Sequence, residues 1–129
     1  MSKTVRVEDK TSGVFIITIL GPIDFDTYKE VQEALAPLLV SSTKVIILNM
    51  KGVEYISSVG IGVILKAKIF MEGIGGKFIM IELKPQVETV FEIIKALPSM
   101  QVFSDMKEVE NYFMKIQRDE IDKQKGELN

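Results

Sequence analysis

Two serines and two glycines lie within six residues of one another, where a predicted buried strand leads into a predicted helix. They are Ser57, Ser58, Gly60 and Gly62. The first amides of a helix have no partner inside it and carry the positive end of its dipole, so a phosphate is favourable there. The simpler explanation from spacing alone is structural: one serine caps the helix, and the glycines allow close packing on the sheet.

Other catalytic arrangements find little support in the sequence. The chain has no histidine and no cysteine, which excludes histidine bases, thiol nucleophiles and zinc ribbons. A dinucleotide-binding loop needs a glycine where Leu65 stands, and no Gly-Lys-Ser/Thr motif is present. Asp24 and Asp26 form a carboxylate pair, but a turn or a helix cap explains them more simply than acid–base catalysis. We therefore expect no enzymatic activity, no metal site and no cofactor.

Composition and charge narrow the class of protein. The chain has 129 residues, of which 47% are hydrophobic and 26% charged, a balance typical of one globular domain. The net charge is −2 and the two signs are interspersed, so nucleic acid is not an expected partner. The apolar run 14–20 is too short to cross a bilayer. We expect a cytoplasmic protein that does not enter a membrane.

Apolar spacing divides the first half of the chain into strands and one helix. Two strand-like runs around a Ser-Gly turn predict a hairpin over the first 20 residues. Asp26 or Thr27 is expected to cap the following helix, which Pro37 should kink or end early. The run 45–48 is short, apolar and β-branched, which predicts a central strand buried on both faces.

The second half of the chain alternates in the same way. The pattern predicts a helix over 58–72 that is apolar on most sides, followed by a strand over 78–81. A second helix is predicted from Pro85 to Leu97-Pro98. A brief edge strand at Val102-Phe103 and a last helix with its apolar face ending near Ile116 complete the pattern. The predicted fold is α/β: a single domain over residues 1–116, with a mixed β-sheet of four to five strands and about four helices packed against it. Residues 117–129 form a charged tail, predicted to be solvated or to extend the last helix.

The segment from Asn49 to Leu65 resembles the signature segment of the bacterial anti-sigma-factor antagonists. These belong to the STAS (sulfate transporter and anti-sigma factor antagonist) domain family, in which Asp-Ser-Ser/Thr-Gly-Leu/Ile-Gly opens the helix. The run 20–24 resembles the family's Gly-x-Leu/Ile-Asp turn, and the resemblance covers roughly residues 3 to 115. It implies a STAS-like domain.

The resemblance also implies a function for the serine and glycine segment. Ser58 falls on the phosphorylatable serine of the family, and Asp24 falls on the turn aspartate beside the same surface. Gly60 and Gly62 fall on the glycines of the helix start, and together with Ser57 these residues form the implied partner-binding site.

Family members bind an anti-sigma factor while they are unphosphorylated, and so release a sigma factor for transcription. The anti-sigma factor is often also the serine kinase, and a phosphatase restores the free serine. The implied protein is a binding switch, not an enzyme. It leaves ATP to the kinase and is monomeric when free.

Three residues depart from the family pattern. Ser57 stands where the family usually has Asp, Val59 replaces a small Ser or Thr, and Asn49 replaces a frequent Asp at the end of the central strand. Without the neighbouring charge, Ser57 is a second candidate acceptor. Two alternatives therefore stay open: a STAS scaffold or transporter-associated module that is not phosphorylated, and a small nucleotide-binding protein supported only by the Gly60/Gly62 turn.

Overall fold

The computed structural model describes residues 4–94 and 100–128. Within these ranges, five strands and four α-helices alternate after an initial hairpin. In chain order the elements are β1 (Val5–Asp9), β2 (Val14–Leu20), α1 (Tyr28–Leu35), β3 (Val45–Gly52), α2 (Ser58–Gly73), β4 (Lys77–Ile81), α3 (Pro85–Ile93), β5 (Gln101–Phe103) and α4 (Met106–Leu128).

The five strands form one mixed sheet in the order β1-β2-β3-β4-β5. The hairpin makes β1 antiparallel to β2, whereas β2 through β5 pair in parallel. β3 is therefore the central strand, and all four residues of the run 45–48 are buried. The predicted α/β fold with a mixed sheet is confirmed. The run 45–48 is apolar because a central parallel strand covered on both faces has no solvated side for polar residues.

The two faces of the sheet carry two separate apolar cores. Ile17 and Leu48 point to one face, where they pack with residues of α1, α2 and α3. Ile16 and Ile47 point to the other face, where Val109 of α4 joins them. The sheet therefore has a layer of three helices on one side and a single helix on the other.

The helices between the strands end where the sequence predicts. α1 ends at Leu35 and passes into a 3-10 turn over 36–38 that contains Pro37, whose ring cannot continue an α-helix. α2 buries Ile61, Ile64 and Met71, in keeping with its apolar character on most sides. It ends at the glycine-rich segment that leads into β4.

The C-terminal part contains a short edge strand and a long last helix. α3 runs to Ile93, and its predicted end at Leu97-Pro98 lies outside the described residues. β5 is a three-residue edge strand at the predicted place. α4 continues past Ile116 to Leu128, and its described side chains beyond Ile116 are exposed. The charged segment thus continues the helix, and its side chains face solvent because they include many charges and little apolar surface to bury.

No helix within residues 4–94 and 100–128 combines the length and the apolar character needed to cross a membrane.

The turn between β1 and β2 passes through three consecutive residues with positive φ. These are Thr11 (72°), Ser12 (55°) and Gly13 (80°), and a hydrogen bond from the Val14 N–H to the Thr11 carbonyl closes the turn. Positive φ at both central residues, Ser12 and Gly13, is typical of a type I′ turn, which favours Asn-Gly. A Cβ at Gly13 would lie 2.6 Å from the backbone oxygen of Ser42, so this position requires glycine.

We predict that Ser12→Asn raises the free energy of unfolding by about 0.5 kcal/mol, because asparagine tolerates the left-handed region better than serine. Gly13→Ala should lower it by more than about 1 kcal/mol, because the added methyl group meets the backbone. Urea unfolding of both variants beside the wild type measures these changes. A less stable Ser12→Asn variant would contradict the turn assignment.

Candidate functional site

Two loops meet at the carboxyl end of β2 and β3. Residues 21–27 follow β2 and residues 53–58 follow β3 and begin α2; together they are called the Ile23 edge below. The N–H of Ile23 donates to the Tyr55 carbonyl (2.9 Å), and its own carbonyl accepts from the Ser57 N–H (2.8 Å). Because the Ile23 side chain is also fully buried, the two loops form one fixed surface.

Asp24 holds the first loop in shape. Its Oδ1 accepts hydrogen bonds from the N–H groups of Asp26 (2.9 Å) and Thr27 (3.1 Å). Thr27 Oγ1 accepts from the Asp24 N–H (3.0 Å) and donates to the Pro22 carbonyl (2.6 Å). Thr27 occupies the N-cap position of α1, one of the two predicted residues, but it makes no side-chain cap hydrogen bond because its hydroxyl is engaged within the turn.

Ser57 is the N-cap of α2 and is only 8% exposed. Its backbone is extended, with φ −88° and ψ 170°, and its Oγ accepts a hydrogen bond from the Gly60 N–H at 3.4 Å. The sequence left the capping role open between the two serines, and the structure places Ser57 in it. The Ser57 hydroxyl is consequently turned inward and engaged with the helix.

Ser58 is the first residue of α2 and its side chain is exposed. The N–H groups of Ser58 and Val59 precede the first intrahelical hydrogen bonds, so they have no acceptor within the helix. They lie at the positive end of the dipole of a 16-residue helix. An exposed hydroxyl is thus placed beside backbone donors that an anion could use.

Gly60 and Gly62 have different roles although they are two residues apart. A Cβ at Gly60 would lie 2.5 Å from Ile23 Cγ2 and 2.9 Å from Ile56 Cγ1, so only glycine lets α2 start this close to the edge. A Cβ at Gly62 would meet nothing within 4 Å. The packing explanation therefore holds for Gly60 and is wrong for Gly62.

Gly62 instead lies on a groove between α1 and α2, beside the helix start. The groove has a volume of about 410 Å³, with Tyr28 and Leu35 on the α1 side and Val59 and Lys66 on the α2 side. Gly62 is among the residues that line the groove, and a Cβ there would meet no neighbour. The groove reaches the start of α2 at Val59, the residue after Ser58.

Sequence reasoning missed two aromatic residues of the Ile23 edge. Phe25 is 74% exposed and Tyr55 is 57% exposed. All seven phenylalanines and three tyrosines lie among the described residues, and of these ten only Phe25 and Tyr55 are exposed. The available signal was an aromatic residue within each of two predicted loops, but their exposure and proximity depend on the pairing of the loops around Ile23.

Residues 6–109 match the family model of the STAS domain. This range spans most of the chain, so the chain belongs to the STAS domain family. The family resemblance carried by the signature segment is confirmed.

A protein named as an anti-sigma factor antagonist, BtrV of Bordetella bronchiseptica, is similar in sequence. The two are 29% identical over 85 residues, which cover 66% of this chain and 73% of that protein. The name of this relative places it among the anti-sigma-factor antagonists, the class that the signature segment resembles.

Solved structures share the fold. The unphosphorylated form of the anti-sigma factor antagonist SpoIIAA superposes with a TM-score of 0.71 at 19% identity, covering 84% of this chain and 95% of that chain. The phosphorylated form of the Bacillus cell fate determinant SpoIIAA gives 0.67 at 18% identity, with 84% and 98% covered. The murine Solute Carrier 26 family member A9 anion transporter gives 0.59 at 24% identity, covering 75% of this chain and 17% of that chain. At these identities the likeness shows the fold.

The two glycines give a matched pair of tests for the helix start. Gly60→Ala should lower the free energy of unfolding by about 1–3 kcal/mol, because the methyl group overlaps Ile23 and Ile56. Gly62→Ala should raise it by about 0.5–1 kcal/mol, because alanine is the better helix former and meets no neighbour. Chemical unfolding measures both. Changes of the same sign would contradict the packing described for these positions.

Proposed function

We propose that this chain is an anti-sigma-factor antagonist whose binding to an anti-sigma factor is switched off by phosphorylation of Ser58. The unphosphorylated chain sequesters the anti-sigma factor, and a sigma factor is thereby released for transcription. Of the residues that the family pattern places in the partner-binding site, Asp24, Ser58 and Gly62 lie on the surface that the partner contacts. Ser57 and Gly60 are buried, and they support that surface by capping and packing the start of α2. The proposed location is the cytoplasm, and the proposed free state is a monomer.

The contrast between the two adjacent serines carries the proposal. Ser57 is buried and caps α2, whereas Ser58 is exposed and makes no hydrogen bond that the fold needs. A kinase reaches an exposed hydroxyl without unfolding the helix start, but it could reach Ser57 only after breaking the cap. This favours Ser58 over Ser57 as the acceptor.

The position of Ser58 favours a phosphorylated form that keeps the fold. A phosphate adds about −1.5 to −2 charges and three acceptor oxygens. The open N–H groups of Ser58 and Val59 and the positive helix end stabilise this charge. Against a net charge of −2 for the whole chain, the surface changes strongly while the core is untouched.

The same charge explains why the partner dissociates. A site that accepts a neutral hydroxyl must strip water from a dianion when Ser58 is phosphorylated. Without basic groups to compensate, this desolvation costs several kcal/mol. Since each 1.4 kcal/mol is about tenfold in affinity, binding falls by orders of magnitude.

In this scheme the chain is a substrate and a ligand. The kinase binds ATP and transfers its terminal phosphoryl group to Ser58 Oγ, which loses its proton as ADP leaves. A phosphatase then uses water to release inorganic phosphate and restore the hydroxyl. The exposed position of Ser58 suits both reactions, because neither requires the chain to open.

A second candidate is a STAS module that assembles with related domains or a transporter and is not phosphorylated. Two observations favour it: the carboxylate before the acceptor is replaced by Ser57, and the fold also occurs within an anion transporter. Covalent modification separates the two candidates, because only the switch requires a phosphate.

We predict that Ser58→Glu and Ser58→Asp weaken binding to the anti-sigma factor by at least about tenfold, because a buried negative charge is costly at the interface. Ser58→Ala should bind within about twofold of the wild type, because it adds no charge. Calorimetric titration against each purified anti-sigma factor of the source cell measures this. Equal affinities for all variants would argue against the switch.

Intact-mass measurement tests the acceptor directly. Incubation with ATP and the anti-sigma factor that binds should add one phosphate to the wild type and to Ser57→Ala, since the exposed hydroxyl remains in both. Ser58→Ala should gain none. A phosphate retained by Ser58→Ala and lost by Ser57→Ala would move the acceptor to Ser57. Tight binding with no phosphate on the wild type would favour the scaffold.

A further inference from the structure

We infer that Phe25 and Tyr55 are the aromatic anchors through which the anti-sigma factor holds this chain around Ser58. The inference rests on the proposed function and identifies which side chains supply the binding energy. The partner surface it requires has two apolar depressions flanking an uncharged hydrogen-bonding contact for the Ser58 hydroxyl.

The placement of the aromatic residues supports this assignment. The other aromatic side chains are buried or half-buried, and the two exposed ones both belong to the Ile23 edge. Exposed aliphatic residues such as Ile69 and Ile93 lie on separate helices and are ordinary for a protein surface. Tyrosine and other aromatic anchors dominate the energetics of many interfaces.

Phe25 is held in place before any partner arrives. It lies in the turn that the Asp24 carboxylate closes through the N–H groups of Asp26 and Thr27. Its ring also meets the Tyr28 ring edge to face, with centroids 6.5 Å apart and planes at 82°. An anchor that is already ordered loses little conformational freedom on binding, so more of its contact energy appears as affinity.

Tyr55 is fixed through its main chain. Its carbonyl accepts from the Ile23 N–H, and the nearby Val53 and Ile56 are buried while the tyrosine ring is exposed. The phenolic hydroxyl has no hydrogen-bond partner within the described part of the chain. The ring can therefore enter an apolar depression and present its hydroxyl to a polar group of the partner.

The anchors also explain how one phosphate gives a strong switch. Apolar contacts around a central polar group exclude water from it. Exclusion of water raises the cost of placing a dianion on Ser58, because the charge can no longer keep its hydration shell. Phe25 and Tyr55 thus tighten binding of the free serine and, in the same complex, increase the penalty for its phosphate.

The experiment measures affinity for the purified anti-sigma factor whose binding Ser58→Glu weakens. Phe25→Ala and Tyr55→Ala should each raise Kd about 30-fold or more, the effect typical of an interface hot spot. Tyr55→Phe should retain most of the affinity, because it keeps the ring. Ile69→Ala is the matched control, because Ile69 is 66% exposed and lies about 16 Å from Ser58 along the axis of α2. Its Kd should differ from that of the wild type by less than about twofold.

Unfolding curves accompany the titrations. Phe25→Ala and Tyr55→Ala should unfold at the wild-type urea concentration, since both rings are exposed and the core is unchanged. If both variants bind within about twofold of the wild type while Ser58→Glu still loses affinity, the anchor role of Phe25 and Tyr55 is overturned and the proposed function stands. An equal loss in Ile69→Ala also overturns them. A wild-type chain that binds none of the purified anti-sigma factors overturns the proposed function itself.

Discussion

The Ile23 edge depends on one buried residue that bonds in two directions. Ile23 donates to the loop after β3, accepts from the N-cap of α2, and lies against the open face of Gly60. These contacts fix the start of α2 relative to the turn after β2. Because close-packed contacts of this kind resist gradual deformation, the two loops keep a fixed arrangement around the helix start.

Much of the architecture could be predicted from local sequence. The β-branched run 45–48 indicates a central strand, and Pro37 marks the end of α1, because both signals arise from the residues themselves. Capping could not be predicted as well. Ser57 and Ser58 differ as caps only by whether the helix starts one residue earlier or later. The hydroxyl of Thr27 is engaged within its own turn by the Pro22 carbonyl and the Asp24 N–H, a turn geometry that the apolar spacing of α1 does not indicate.

Asn49 shows how a departure from the family pattern can have a local cause. Its Oδ1 accepts from the Lys51 N–H at 3.0 Å, and its Nδ2 lies 3.5 Å from Glu82 Oε2. Glu82 has a left-handed backbone, with φ 56°, at the end of β4. An aspartate at position 49 would place two carboxylates together there, so the amide suits this chain. The substitution is explained by its neighbour across the sheet and concerns the link between β3 and β4, not the start of α2.

The replacement of the usual aspartate by Ser57 alters the charge at the start of α2. An aspartate at the N-cap brings a negative charge to the amides that a phosphate on Ser58 would use, so the two anions compete for one positive helix end. A serine cap satisfies the Gly60 N–H without that charge. A phosphate on Ser58 would therefore meet less negative charge at the helix start in this chain than in the usual family pattern. In the proposed switch, the absent carboxylate would remove an electrostatic obstacle to a phosphate at Ser58, and the kinase would have to recognise a neutral flank.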